Sequence, residues 1–143
     1  MHTMSEDQLR RFLIERPRPM KLATVRPDGR PHVTPVWFVL DGDTIVFTTG
    51  EGYAKSQDMR RDPRICLCVD DETPPFAYVM IEGTATLSGD LNALLVWATC
   101  IGGKYLGADQ AEAFGKRNAV PGELLVRVTP TKIIAHAGIA DRD

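Results

Sequence analysis

The feature that most restricts this chain is a change of period after residue 19. Apolar and polar residues begin to alternate, and each alternating run ends in a tight-turn sequence. Successive strand side chains point to opposite faces, so such alternation belongs to half-buried strands. "MKLATV" (20–25), "HVTPVWFVL" (32–40) and "TIVFTT" (44–49) are three such runs. "RPDGRP" joins the first two with Pro, Asp and Gly in favoured turn roles, and "DGD" (41–43) turns into the third. The three predict an antiparallel meander. Pro35 lacks a ladder N–H, which places its strand at a sheet edge or a bulge.

The same reading extends along the chain. Ser5 with Gln8 is a capping-box signal, and Leu9, Phe12 and Leu13 follow at helical spacing, so a helix is expected over residues 5–15, ended by Pro17 and Pro19. A short basic helix follows "TTGEG" and stops before Pro63. "RICLCV" (64–69) is a strand, 70–75 a loop, and "FAYVMIEGTATLSG" (76–89) a long strand with Gly83 at a bulge or bend. From Asp90 the period is helical, with Leu91, Leu94, Leu95 and Ala98 on one face; "GGKYLG" (102–107) interrupts before a second helix over 109–117. "ELLVRV" (123–128) and "KIIAHA" (132–137), separated by "TPT", close the chain as two strands. Six or seven strands joined by short turns predict a mainly β domain, a split antiparallel barrel flanked by helices. One domain over 1–143 is expected, with an N-terminal helix (1–17), a barrel core (20–89), a helical segment (90–118) and closing strands (123–137).

Composition narrows the function classes. The 143 residues carry a net charge of −2, so no global basic field recruits nucleic acid. The apolar stretch 91–101 is too short to span a bilayer. The first residues lack a secretory apolar run, and three cysteines cannot all pair internally, which together point to a reducing cytoplasm. Cys66 and Cys68 share a strand face without further ligands nearby, so no metal site is expected. Rossmann, P-loop and "GxSxG" patterns are absent. His32 and His136 stand alone, without the partners that activate a catalytic histidine.

What remains is "FTTGEGYAKSQDMRRDPRICLCV" (47–69), where Lys55, Arg60, Arg61 and Arg64 crowd behind a glycine turn. Two readings stand side by side. The basic residues are a solvated helix face, with Arg64 pairing nearby aspartates. Alternatively, Lys55 and Ser56 at a helix start, with Thr48 and Thr49, form an anion site, because free N–H groups and the helix dipole favour a phosphate there.

The order of motifs from residue 22 to 88 — strand, "DGRP" turn, strand, "TT", "AKxxxxRRDPR", strand, "YVxxEGTA" — resembles the pyridoxamine 5′-phosphate oxidase-like split-barrel family. Within it, the chain is similar to the branch that uses the deazaflavin coenzyme F-420. The resemblance implies that Thr34, Pro35, Val36, Trp37 and Phe38 run beside the cofactor ring. It implies that Thr48 and Thr49 touch the ribityl chain and phosphate, and that Lys55, with Ser56, binds the phosphate. Tyr78, Val79 and Met80 match a strand that approaches the site, often from a second subunit. A homodimer with cofactor at its interface is implied, and Lys104 or Tyr105 are candidates to reach across it.

Departures from the family pattern shape the expected chemistry. The vitamin-B6 oxidases carry a basic residue where Thr34 stands and an arginine where Ala54 stands, and their C-terminal substrate motifs have no counterpart in "TKIIAHAGIADRD". Fewer cations fit a phosphodiester better than the dianionic phosphate of FMN. The resemblance therefore implies an F-420-dependent reductase passing a hydride to a small electron-poor molecule, with chemistry on the cofactor and no catalytic side chain assigned. Trp37 and Phe38 would shape the substrate space. Arg60, Arg61 and Lys21 are candidates for the coenzyme's anionic tail, and Tyr105 for a proton. The competing readings are an FMN oxidoreductase of the same fold, and a non-catalytic F-420- or haem-binding module.

Overall fold

A computed structural model describes residues 1–142. The elements run β1 (His2–Thr3), α1 (Glu6–Ile14), β2 (Met20–Val25), β3 (Pro31–Val36), β4 (Phe38–Asp41), β5 (Thr44–Gly50) and α2 (Ala54–Arg61). Then follow β6 (Arg64–Asp71), β7 (Ala77–Ser88), α3 (Leu91–Leu106), α4 (Ala108–Asn118) and β8 (Glu123–Ala137). The strands form one antiparallel sheet in the order β3-β2-β6-β7-β8-β5-β4, with β1 beside β8. Curled on itself, this is the split barrel flanked by helices that the turn pattern predicts.

The expected meander is corrected at one residue. "HVTPVWFVL" is not a single strand: it breaks at Trp37. Its first part, β3, pairs with β2, and its second, β4, pairs with β5. These lie at opposite ends of the strand order. Trp37 therefore carries the chain across the barrel's open seam. Pro35 lies in the terminal strand β3, where a missing N–H costs nothing on the outer edge.

Two further expectations change. The closing strands 123–128 and 132–137 are one fifteen-residue strand. It bends where the register slips: Glu82 faces Lys132 while Gly83 faces Pro130, leaving Thr131 as the extra residue of a bulge. Gly83 is needed because a Cβ there would lie 2.7 Å from Val128 Cγ1 and 2.8 Å from the Thr129 carbonyl. "GGKYLG" breaks the helix only at its last residue: α3 runs to Leu106 and gives way to α4 at Gly107, whose φ is 99°. A Cβ on Gly102 would lie 2.7 Å from the Phe114 Cβ, so this glycine lets α4 dock closely rather than ending the helix.

The core follows from the sheet's two faces. Inside the barrel Met20, Leu22, Phe38, Ile45, Phe47, Leu67 and Ile81 are almost fully buried. On the outer side Val46 and Leu125 pack against Leu94 of α3. Strand β5 is covered on both faces there, which is why "IVF" is a continuous apolar run rather than an alternating one. Helix α1 has both capping-box bonds: Ser5 Oγ accepts from the Gln8 amide at 3.2 Å, and Gln8 Oε1 accepts from the Ser5 amide at 2.9 Å. No described helix is long and apolar enough to cross a membrane.

Candidate functional site

Where β3 ends at the seam, it meets β5, the start of α2, and the α3–α4 pair. Pro35, Val36, Trp37, Thr48, Lys55, Ile101 and Phe114 line a cleft of about 260 Å³ there. Five of the sequence-derived candidates are thus brought together. Ile101 and Phe114 were not foreseen; the only sequence signal for them was the apolar face of the helical segment.

The basic cluster divides sharply. Arg60 pairs with Glu51 at 3.4 Å, and Arg64 pairs with Asp62 at 2.8 Å. Arg61 pairs with buried Asp58 at 3.2 Å and also donates to the Val25 carbonyl. Asp58 in turn accepts from Thr24 Oγ1 at 2.9 Å. For these three the solvated-face reading holds. Lys55 differs: among the described residues it has no hydrogen bond or ion pair, and its ammonium lies only against the Tyr53 ring, 5.2 Å from the centroid. Burial pushes its pKa below the ordinary lysine value.

The backbone beside Lys55 is also open. Tyr53 caps α2 without a side-chain bond, and no acidic residue occupies the first turn. The amides of Ser56 and Gln57 reach back to the Tyr53 carbonyl, while those of Ala54 and Lys55 have no backbone acceptor among the described residues. Lys55 thus brings to the cleft an ammonium without a polar partner among the described residues, on a helix whose first two amides are open. On β3, one residue before Pro35, Thr34 Oγ1 is buried without a partner among the described residues, as is His32 Nδ1.

Other candidates sit elsewhere. Thr49 and Ser56 are buried and spend their hydroxyls on each other at 3.0 Å, with Ser56 Oγ donating to the Gly50 carbonyl at 2.6 Å; they fasten α2 to β5. Val79 is fully buried in the barrel. Tyr78 and Met80 face outward on β7, three strands along the sheet from β3. The Tyr78 hydroxyl lies 3.1 Å from His136 Nδ1. Lys21 pairs with Asp70 at 2.5 Å on the surface.

Lys104 and Tyr105 turn into their own chain. Lys104 Nζ donates to the carbonyls of Leu13 and Phe38, each at 3.1 Å. The Tyr105 hydroxyl donates to the Arg18 carbonyl at 2.8 Å and accepts from the Phe38 amide at 3.2 Å. Burial pushes that phenol up to about 12, so its proton is both engaged and hard to release.

A larger cleft of about 550 Å³ lies between α1, the β4–β5 turn and the β8 bulge. Its walls carry Glu6, Asp7 and Asp43 against a single cation, Arg10, whose guanidinium is turned to the Gly42 carbonyl at 3.1 Å. That charge balance repels a phosphate, so size does not make it the anion site. Among the described residues no group of three His, Cys, Asp or Glu side chains could hold a metal ion.

A split barrel flanked by helices defines a class, and the chain's likeness to known proteins bears out that fold. Residues 5–137 match the family described as pyridoxamine 5′-phosphate oxidase, and the chain belongs to that family. It is 34% identical over 110 residues to a pyridoxine/pyridoxamine 5′-phosphate oxidase of Rubrobacter xylanophilus, covering 72% of this chain and 47% of that protein. The chain thus spans about half the length of that curated relative. Among solved structures it resembles a conserved hypothetical protein from Mycobacterium tuberculosis (TM-score 0.84, 26% identity, 94% of this chain and 86% of that one). It also resembles an F420 reductase (TM-score 0.68, 28% identity, 86% and 94%).

Proposed function

We propose that this chain is an oxidoreductase that binds coenzyme F-420 in the Trp37–Lys55 cleft and serves hydride transfer to a small organic substrate. The observation that carries the proposal is the isolation of Lys55, a cation of the basic stretch with no carboxylate partner among the described residues, beside two open helix amides. An anion in contact with that ammonium would reverse the burial-driven drop in its pKa. One cation with two amides suits a singly charged phosphodiester. The dianionic phosphate of FMN asks for more, and Thr34 and Ala54 supply no charge.

A bound deazaflavin supplies the hydride chemistry; the chain's own residues bind, orient and exclude water. Lys55, the Ala54 and Lys55 amides and the Thr48 hydroxyl would hold the phosphate, with Thr34 Oγ1 as a further donor. Thr49 and Ser56 would act behind them by fixing α2. The outer edge of β3 is unpaired in the sheet and Pro35 faces it, since Thr34 and Val36 turn their backbone groups to Leu22 and Met20 of β2, so the Pro35 carbonyl is free to meet a ring's polar edge. Trp37, Phe114 and Ile101 form the apolar wall.

A cleft of about 260 Å³ is small for a tricyclic ring and its chain. A second copy of the protein would supply the missing wall, which is the role assigned to Tyr78 and Met80 on the outward sheet face. That face also exposes Val33, 64% accessible, beside Ala23, Cys66 and Cys68. The assembly proposed is a cytoplasmic homodimer with its cofactor at the interface.

Titration with F-420 and with FMN, followed by coenzyme fluorescence, tests the reading. F-420 should bind the tighter. Lys55→Ala should weaken binding about 10- to 150-fold, since a charge-assisted hydrogen bond contributes about 1.5–3 kcal/mol. Unchanged affinity in Lys55→Ala removes the site assignment; tighter FMN binding replaces the cofactor by the second reading, which the family match favours.

A further inference from the structure

We propose that Lys104 and Tyr105 are positioning residues for the cofactor cleft: they clamp Phe38 and thereby fix the Trp37 indole as the cleft's wall. The proposal rests on the cofactor reading above for its functional consequence, but its geometry stands alone.

The β4–β5 hairpin closes at the pair Asp41–Thr44, and antiparallel pairs alternate between bonded and non-bonded from there. Phe38–Phe47 is then a non-bonded pair, so the Phe38 N–H and C=O point away from β5 into the seam. Among the described residues no strand meets them there, because β4 is the last strand of the sheet. An unmet buried amide and carbonyl would be costly. The last turn of α3 meets both: Tyr105 Oη accepts from the amide at 3.2 Å and Lys104 Nζ donates to the carbonyl at 3.1 Å. The same two side chains reach the Leu13 and Arg18 carbonyls, so the clamp is anchored at the end of α1 and the start of the barrel.

Trp37, the residue before Phe38, has no strand partner. Its ring stacks on Tyr105 with centroids 4.9 Å apart and planes 4° from parallel, and lies 5.9 Å from Phe114. The indole is still 38% exposed. The Tyr105 stack and the clamped neighbour, with Phe114 on the cleft side, set the orientation of an aromatic wall at a strand break. Tyr105 thus reaches the cofactor only through Trp37.

A double-mutant cycle on coenzyme affinity separates this role from a merely structural one. The variants are Tyr105→Leu, Trp37→Leu and the pair, titrated with F-420 and FMN. Tyr105→Leu should weaken binding about tenfold with Trp37 present, equivalent to about 1.4 kcal/mol, and less than about twofold in the Trp37→Leu background, since contacting residues are non-additive. Its melting temperature should fall in both backgrounds. Equal weakening in both backgrounds, or none in either, overturns the proposal. If the wild type binds neither coenzyme, the cofactor reading fails by itself. The clamp is then read by acrylamide quenching of Trp37 in a Trp97→Phe background. Quenching should rise on Tyr105→Leu, and unchanged quenching overturns it.

Discussion

Substituting Lys104 by methionine should flatten the alkaline rise in this protein's stability. Burial, aided by repulsion from Arg18, lowers the Lys104 ammonium from 10.5 to about 8. Between those two values the unfolded chain holds a proton that the folded chain has released. Stability therefore climbs with pH over that window, and below about pH 8 the full cost of the buried charge is present. That lowering corresponds to roughly 3 kcal/mol of differential stability at about 1.4 kcal/mol per tenfold change in proton affinity. Two effects reduce it. The side chain is half-buried, so solvent screens the charge, and the Leu13 and Phe38 carbonyls favour the protonated form. We expect about 1–2 kcal/mol to remain after these corrections. Tyr105 acts oppositely above pH 10, because its folded value of about 12 exceeds the unfolded 10. Lys55 acts in the same direction as Lys104. Subtracting the Lys104→Met curve isolates the one group. Thermal unfolding followed by circular dichroism at pH 7, 8, 9 and 10 measures it, at about 3–4 °C per kcal/mol for a chain of this size. The wild-type melting temperature should gain on that of Lys104→Met as pH rises. Parallel curves would refute the reasoning.

The other expectations concern the scaffold of the cleft. Ser56→Ala strips a buried hydroxyl from Thr49 and the Gly50 carbonyl; urea unfolding should show a loss of about 1–3 kcal/mol, and a loss below about 0.5 kcal/mol would mean Ser56 does not fasten α2. Gly83→Val places side-chain atoms where Val128 and the Thr129 carbonyl already stand. It should cost more than about 3 kcal/mol, and a stable Gly83→Val protein would show that the β8 bend does not depend on that close approach.

Much of this molecule is legible locally. Capping by Ser5 and Gln8, the "DGD" turn and the restriction of Pro35 to an edge or a bulge follow from single residues whose backbone demands are the same in any fold. So does Lys55 at a helix start behind a glycine turn, because the start of a helix is a local event. The break at Trp37 is different. A strand's alternation records that one face is buried, not which neighbour pairs with it, so "HVTPVWFVL" reads the same whether it stays in one hairpin or crosses a seam. Glycines in "GGKYLG" look like a stop until a second helix is packed against them. The same holds for "TPT", which is a loop by composition and a bulge only because β7 continues past it opposite Gly83.

The sequence by itself determined most of the strands and helices, the half-barrel class and the placing of Lys55 at a helix start, since these depend on periodicity and near-neighbour chemistry. The tertiary structure alone decided which cations are spent in ion pairs, that Ile101 and Phe114 complete the cleft, and that Lys104 and Tyr105 serve their own chain's seam. Those outcomes depend on contacts between residues dozens of positions apart, and the free energy of such a contact is set by where the rest of the chain has placed its partner.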